Sequence, residues 1–189
     1  MNVLYRLSAL LLFILFLPLF FILYLLVKFD SSGPFIFRQK RMGKDRKVFT
    51  LYKIRTMVKN AQKQKQQYLS LNEADGPVFK IRRDPRHTKI GRFLAHTGLD
   101  ELSQLINVLK GEMLYVGPRP LPVDEAKKIP AKYAKRFSVL PGMTSLWVIR
   151  GSHSLTFAEW MESDLEYIRK KTLWLDIKII ALTVWRLIS

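Results

Sequence analysis

The chain has 189 residues, of which 32 are Lys or Arg and 15 are Asp or Glu, so its formal net charge is +17. It contains no cysteine, which excludes a disulfide-stapled scaffold and agrees with a reducing compartment. A charge of this size predicts an anionic partner. Nucleic acid, anionic lipid headgroups and a phosphorylated substrate are the three candidates.

The first predicted element is an apolar helix. Residues 7–27 carry no charge, and roughly 20 apolar residues suffice to cross a hydrocarbon core. A cleaved signal peptide fits poorly, because the segment is too long and no small-residue cleavage site follows it. We therefore predict a membrane-inserted helix over residues 1–29 and a single domain over residues 30–189.

Pro18 divides this helix into two pieces, each too short to cross alone, since proline removes a helix hydrogen bond and clashes with the preceding turn. The sequence leaves two geometries open, a kinked spanning helix and a re-entrant hairpin. Orientation follows from charge. Arg6 is the only charged residue before the segment, whereas the residues after it are strongly basic, which predicts a cytoplasmic domain. With a membrane anchor present, lipid and phosphate explain the basic charge more simply than nucleic acid does.

The next elements form a small antiparallel sheet. A turn at residues 30–34 separates the anchor from the domain, and residues 35–55 predict a β-hairpin whose turn is Met42-Gly43-Lys44-Asp45. A Lys- and Gln-rich exposed helix is predicted over residues 59–71, and Asp75-Gly76-Pro77 breaks it.

Helices dominate the rest of the chain. A short helix is predicted over residues 88–96, and Thr97 is the predicted N-cap of a second helix that begins with Asp100 and Glu101. Further helices are predicted over residues 130–136, 155–170 and 171–189. The last is amphipathic, and the sequence leaves open whether it lies in the headgroup plane or packs on the domain core.

The acidic pair and a later arginine carry the predicted chemistry. Acidic residues are favoured in the first turn of any helix, which is the structural alternative for Asp100 and Glu101. Adjacent carboxylates in so basic a chain also suit a site where Mg²⁺ bridges protein carboxylates and substrate phosphates. Arg119 stands between Pro118 and Pro120; it is either a surface residue in a turn or a rigid bidentate phosphate clamp.

Five blocks in order resemble the bacterial sugar transferases, which are monotopic phosphoglycosyl transferases. They begin with Phe37-Arg38-Gln39-Lys40-Arg41-Met42-Gly43, together with residues 49–57. The others are Asp84-Pro85-Arg86-His87-Thr88-Lys89-Ile90-Gly91-Arg92-Phe93-Leu94, Leu99-Asp100-Glu101-Leu102 with residues 107–111, Gly117-Pro118-Arg119-Pro120, and Pro141-Gly142-Met143-Thr144. Each block alone is only suggestive, whereas five in order are specific.

The resemblance implies a fold and a reaction. The fold is an α/β domain of the α+β kind, with helices around a small antiparallel sheet, on the cytoplasmic face of the bacterial inner membrane. The implied reaction moves a phosphosugar from a UDP-sugar to a polyprenyl phosphate, with Asp100 as covalent nucleophile, and starts glycoconjugate assembly. Glu101, with Asp100, would hold Mg²⁺. Substrate binding is assigned to five residues: Lys53, Arg55, Arg38, Pro118 and Arg119.

Some positions depart from the pattern that this family usually shows. Ala95-His96 stands where Arg-Lys is usual, so part of the phosphate grip is in doubt, and His96, Arg92 or Arg119 would have to compensate. Ser103 replaces a common Pro and Ser145 a common Gly, changes expected to act on donor choice. Two rivals remain: a membrane-anchored basic adaptor that binds lipid or nucleic acid without catalysis, and a phosphatase acting on lipid phosphates.

Overall fold

The structure, a computed structural model, describes residues 3–151 and 155–188, and it begins with two helices bent by 57° at their junction. These are α1 (Val3–Leu15) and α2 (Leu17–Asp30), and Pro18 lies in the first turn of α2, where its missing N–H is tolerated. The predicted break at Pro18 is thus confirmed. Among the described helices none is by itself long and apolar enough to cross a membrane, while the bent pair meets that test by length and composition. Re-entrance stays a prediction, and Met1 and Ser189 lie outside the described residues.

The bent helix pair α1–α2 has apolar residues both on the face that packs on the domain and on the exposed face. Ala9 of α1 belongs to a buried cluster with Leu105, and Val27 of α2 belongs to a second cluster with Ile54. The opposite faces remain exposed, and Phe29 keeps 88% of its surface accessible. One apolar face therefore attaches the helices to the domain, and the other agrees with insertion into lipid.

The predicted hairpin is confirmed as β1 (Ile36–Met42) and β2 (Val48–Ile54), paired antiparallel with Ile36 opposite Ile54. A short β4 (Leu121–Pro122) pairs with the end of β1, giving a three-stranded antiparallel sheet in the order β2-β1-β4. A second pair, β3 (Leu114–Val116) and β5 (Gly142–Thr144), is parallel. The sequence did not predict this pair, because three-residue strands are too short to show an alternating pattern.

The helices surround these sheets. They are α3 (Ala61–Gln64), α4 (Lys89–Thr97), α5 (Leu105–Lys110), α6 (Val123–Ala126), α7 (Leu146–Ile149), α8 (Phe157–Lys170) and α9 (Leu173–Ile188). In the described part of the chain, four 3₁₀ segments accompany them: Lys44–Arg46, Lys65–Leu71, Leu99–Gln104 and Ala131–Ser138.

Three helix predictions need correction. The predicted helix over residues 59–71 is α3 followed by the 3₁₀ segment Lys65–Leu71. The predicted helix over residues 130–136 is the 3₁₀ segment Ala131–Ser138. Thr97 is the last residue of α4 and not an N-cap, and its hydroxyl donates to the carbonyls of Phe93 and Leu94. Gly98, with a φ of +66°, ends α4 in the left-handed conformation and leads directly into the next segment.

Helix α9 combines the two placements that the sequence left open. Ile179 and Asp176 are buried against the domain, and Asp176 accepts a hydrogen bond of 2.7 Å from the hydroxyl of Tyr167. Trp174 and Trp185 are 75% and 65% exposed. The helix therefore packs on the domain and also presents an aromatic, apolar outer face of the kind found at membrane interfaces.

Candidate active site

The acidic pair lies at the start of a helix that is bonded to the hairpin. Asp100 and Glu101 are the second and third residues of the 3₁₀ segment Leu99–Gln104, which runs directly into α5. The fully buried Asn107 of α5 donates to the carbonyl of Thr50 at 2.7 Å and accepts from the N–H of Tyr52 at 3.1 Å. These bonds fix the helix against β2, so the residue that follows Tyr52 is held beside the acidic pair.

That residue is Lys53. Its Nζ lies 2.7 Å from Oδ2 of Asp100 and 3.5 Å from Oε1 of Glu101. The contact to Asp100 is the shorter of the two and joins the ammonium to a buried carboxylate oxygen. The Lys53 side chain is 25% exposed and the Asp100 side chain 1%. The lysine is therefore the side of the pair that faces solvent.

Arg119 completes a group of four charges. Its Nη2 donates to Oε1 of Glu101 at 2.8 Å. The Arg119 loop, residues 117–120, follows β3, and the Gly117 N–H donates to the carbonyl of Thr144 at 3.0 Å. A Cβ added at Gly142 would lie 2.0 Å from the Gly117 nitrogen, so glycine is required where the two loops meet. The charge group thus contains Asp100, Glu101, Lys53 and Arg119.

The two carboxylates differ in electrostatic character. Burial raises the pKa of Asp100 above its ordinary value, and the charge of Glu101 acts in the same direction against the opposing charge of Lys53. For Glu101, burial also favours the neutral form, but the charges of Arg119 and Lys53 outweigh it and lower its pKa to about 2. Glu101 is therefore a fixed anion, and Asp100 is a desolvated carboxyl whose charge depends on its neighbours.

This donor set fits Mg²⁺. Within residues 3–151 and 155–188, no group of three or more His, Asp or Glu side chains gathers in a way that could hold a metal ion. A cation here would use one or both carboxylates of the pair and complete its shell with substrate phosphate oxygens and water, which is how Mg²⁺ is commonly bound. The two adjacent carboxylates supply oxygen ligands of the kind that this role requires, and Oδ2 of Asp100 contacts the Lys53 ammonium at 2.7 Å.

Arg55, a predicted substrate-binding residue, lies elsewhere. Its guanidinium donates to three backbone carbonyls at the end of α2, those of Val27, Ser31 and Ser32, at 2.6–3.2 Å. Arg55 is 7% exposed. Arg55 therefore caps the helix that adjoins the domain and does not join the charge group, and its role in substrate binding stays a prediction.

Arg38 is also outside the charge group. It is exposed on β1 opposite Tyr52, and its guanidinium lies over the Tyr52 ring at 5.9 Å. Neighbouring residues of a strand point to opposite faces, so the strand directs Arg38 and Lys53 to different sides of the sheet. Pro118, by contrast, is buried directly beside Arg119, and its role in substrate binding stays a prediction.

Lys80 is a basic residue that the sequence analysis did not single out. Burial lowers its pKa, and the charge of Arg119 acts in the same direction, which places the two cations close together. Its Nζ lies 5.6 Å from the ring centroid of Trp147. The only signal for Lys80 in the sequence is its position in the basic stretch of residues 80–83. Lys80 therefore adds positive charge beside Arg119 in a chain that lacks the usual arginine at position 95.

The comparisons with known proteins agree on one family. A sequence profile described as bacterial sugar transferase matches residues 2–189. The chain is 45% identical over 155 residues to the galactosyl transferase CpsE of Streptococcus agalactiae, covering 82% of this chain and 34% of that protein. It is 40% identical over 187 residues to the UDP-glucose:undecaprenyl-phosphate glucose-1-phosphate transferase of Escherichia coli, covering 94% and 38%.

A third relative is the undecaprenyl-phosphate galactose phosphotransferase of Salmonella typhimurium, 39% identical over 158 residues, with 79% of this chain and 32% of that protein covered. The chain thus spans about a third of the length of these three relatives.

Proposed function

Since the chain belongs to the bacterial sugar transferase family, we propose that it transfers a phosphosugar from a UDP-sugar to a membrane polyprenyl phosphate, with undecaprenyl phosphate as the acceptor. The names of the E. coli and S. typhimurium relatives support this acceptor. One structural observation carries the proposal: a buried Asp100 contacts Lys53 next to a Glu101 that is bound by Arg119.

In the first half-reaction, a carboxylate oxygen of Asp100 attacks the phosphorus that bears the sugar. The bond from this phosphorus to the bridging oxygen breaks, and UMP leaves with that oxygen and its electron pair. The product on the enzyme is a phosphosugar-aspartyl intermediate, an acyl phosphate, and carboxylates are known to form such phosphoryl intermediates. Lys53 stabilises the ionised form of Asp100, since its ammonium lies 2.7 Å from the carboxylate.

In the second half-reaction, a phosphate oxygen of the polyprenyl phosphate attacks the same phosphorus. The bond from this phosphorus to the Asp100 oxygen breaks, and its electron pair regenerates the carboxylate, which leaves a polyprenyl diphosphosugar. Both steps develop charge on phosphate oxygens, and catalysis of such steps depends mainly on positioning and charge neutralisation. Arg119 supplies a planar pair of donors for those oxygens, and Glu101 holds Arg119 at 2.8 Å.

Asp100 and Glu101 are the residues that would hold Mg²⁺, and when bound the ion would neutralise the phosphate oxygens that otherwise repel the two carboxylates. Glu101 is suited to this role because its pKa of about 2 keeps it ionised at neutral pH.

The proposal includes a location. The bent pair α1–α2, the exposed outer face of α9 and the basic residues after α2 support attachment to the cytoplasmic face of the inner membrane. We propose that α1–α2 is re-entrant. A cysteine placed at position 2 should then be unreachable by a membrane-impermeant label added from the periplasm, and labelling from that side would show a spanning helix.

A panel of UDP-sugars with undecaprenyl phosphate and Mg²⁺, read as UMP release, tests the reaction. We expect UMP and a lipid-linked diphosphosugar from at least one donor. A lipid phosphatase would instead release inorganic phosphate from the lipid without using the donor, and a non-catalytic adaptor would release neither product. Either result would overturn the proposed function.

A further inference from the structure

The Arg119 loop is held by its carbonyl groups. Two of its four residues are prolines, which have no N–H to donate. The carbonyl of Pro118 accepts from the Gly142 N–H at 3.1 Å. The carbonyl of Arg119 accepts from Nη2 of Arg136 at 2.8 Å, and that of Pro120 accepts from Nη1 of Arg41 at 2.9 Å. Three consecutive peptide units are therefore fixed by donors from outside the loop.

Arg136 is itself held rigidly. Its Nε and Nη2 donate to Oδ2 of Asp164 on α8 at 3.0 and 2.8 Å. The two side chains are 2% and 1% exposed. The guanidinium plane is thus fixed by a carboxylate on one side, and its Nη2 also reaches the Arg119 carbonyl. Because Arg has a planar fork, one side chain makes both contacts without freedom to rotate.

Arg41 approaches the loop from β1. Burial, with the charge of Arg119 acting in the same direction, lowers the pKa of Arg41 to about 10. Like charges repel one another, yet Arg41 binds the carbonyl of Pro120, the residue that follows Arg119. Within the described contacts, neither Arg41 nor Arg136 forms an ion pair with Asp100 or Glu101.

We propose that Arg41 and Arg136 are positioning residues, which fix the backbone of Arg119 by binding the Arg119 and Pro120 carbonyls and thereby set its grip on phosphate without touching the substrate. This inference rests on the proposed function of Arg119. Neither residue forms an ion pair with Asp100 or Glu101 among the described contacts, so we expect their effect to pass through Arg119.

The chain offers a matched control in Arg86. Its Nε donates to Oδ1 of Asp84 at 2.9 Å, and its Nη1 donates to the carbonyl of Ala61 at 3.1 Å. Both side chains of that ion pair are almost fully buried. Arg86→Lys therefore removes a guanidinium that also binds one carboxylate and one backbone carbonyl, but in a place where the recorded bonds do not reach the Arg119 loop.

The test is a double-mutant cycle on kcat/KM, with unfolding measured for every variant. We expect Arg136→Lys to lower kcat/KM by about 10- to 100-fold, since small displacements of a positioning group have effects of that size. In an Arg119→Lys background the same change should cost no more than about threefold, because the residue through which it acts is already altered. Arg86→Lys should leave kcat/KM near that of the parent.

Two results would overturn the proposal: an equal loss from Arg136→Lys in both backgrounds, or a loss no larger than that of Arg86→Lys. If Arg136→Lys does not fold, Arg41→Met carries the cycle instead, since it frees the Pro120 carbonyl and leaves the Arg136–Asp164 pair intact.

A second readout separates this inference from the proposed function. The Kd for inorganic pyrophosphate with Mg²⁺, measured by calorimetry on the detergent-solubilised protein, should rise for Arg119→Lys and Arg136→Lys and stay unchanged for Arg86→Lys. If the parent turns over no UDP-sugar, the proposed function fails. The affinity for pyrophosphate, measured for Arg119→Lys, Arg136→Lys and the double variant, still decides the positioning role. Additive losses of affinity overturn the role, and non-additive losses support it.

Discussion

Two arginine–carboxylate pairs meet at Arg119, and they differ in character. The Arg119 side chain binds Glu101 at 2.8 Å, while the Arg119 carbonyl is bound by Arg136, which pairs with Asp164 also at 2.8 Å. In the first pair the side chains are 30% and 21% exposed, and in the second 2% and 1%. The pKa of Glu101 falls to about 2, whereas burial raises that of Asp164 to about 6 despite Arg136.

The two pairs differ in the number of cations beside the carboxylate and in its exposure to solvent. Glu101 has Arg119 and Lys53 beside it, so two positive charges outweigh its burial, whereas Asp164 has only Arg136 among its recorded charge partners. An open group with two cations and two carboxylates can exchange partners when an anionic substrate arrives. The buried Arg136–Asp164 pair, here called the closed pair, cannot exchange partners in this way, and it provides fixed geometry instead. The predictions below test this division.

The largest expected effect is at Asp100. Asp100→Asn keeps the shape but replaces the attacking carboxylate by an amide, which is a poor nucleophile. We expect turnover to fall by at least on the order of 10³-fold. UMP release under saturating UDP-sugar and acceptor measures this, with circular dichroism as the check on folding. Turnover within tenfold of the parent would remove Asp100 from the nucleophile role.

Arg119→Lys should come next. The substitution keeps the positive charge for Glu101 but loses the planar fork, so phosphate grip weakens and kcat/KM should fall by about 10²-fold. Steady-state kinetics with varied UDP-sugar give the value. A variant that works like the parent would show that Arg119 is only a turn residue.

Glu101→Gln should have a smaller effect that depends on the metal. Loss of one anionic ligand should lower activity about 10- to 100-fold at limiting Mg²⁺, and added Mg²⁺ should recover part of it. Excess chelator should abolish turnover of the parent. The measurement is UMP release across a Mg²⁺ titration, and a parent that is fully active in chelator would exclude this role.

The closed pair should act on stability instead. The folded pKa of Asp164 is about 6, above the ordinary value of about 3.9. The folded protein therefore binds the Asp164 proton more tightly than the unfolded chain does. This stabilises the folded state fully below about pH 4, and the stabilisation is lost as the pH rises through about 6. This amounts to up to about 3 kcal/mol.

The measurement is the unfolding free energy of the parent and of Asp164→Asn between pH 4 and pH 7. Relative to the variant, which does not titrate at this position, the parent should lose stability as the pH rises. A difference between the two that does not change with pH would contradict the raised pKa.

The residues of the charge group were easier to predict from the sequence than the closed pair Arg136–Asp164. Asp100 and Glu101 are adjacent, and Arg119 stands in a short motif, so the pattern of residue types reveals them. Lys53 was assigned from the resemblance, and the structure places it 2.7 Å from Asp100. Arg136 and Arg41 act through backbone carbonyls, which every residue has, so no sequence pattern marks their partners.

The same reason explains why the position of Arg55 outside the charge group was not predicted. In sequence it is one more basic residue two positions after Lys53, but its three acceptors are carbonyls 23–28 residues earlier in the chain, brought near by the packing of α2. The hairpin was predictable from its alternation and turn. The parallel pair β3–β5 and the 3₁₀ start of the acidic helix were not, because short elements are set by tertiary contacts more than by local preference.

The central claim is that Asp100 forms a covalent intermediate, and intact-protein mass spectrometry with UDP-sugar and Mg²⁺ but no lipid acceptor tests it most directly. The account predicts about one UMP released per active site and a mass increase equal to one phosphosugar, both absent in Asp100→Asn. An adduct that persists in Asp100→Asn would place the nucleophile elsewhere. Turnover with acceptor but no adduct without it would indicate direct transfer to the lipid, and Asp100 would then be a metal ligand or a base.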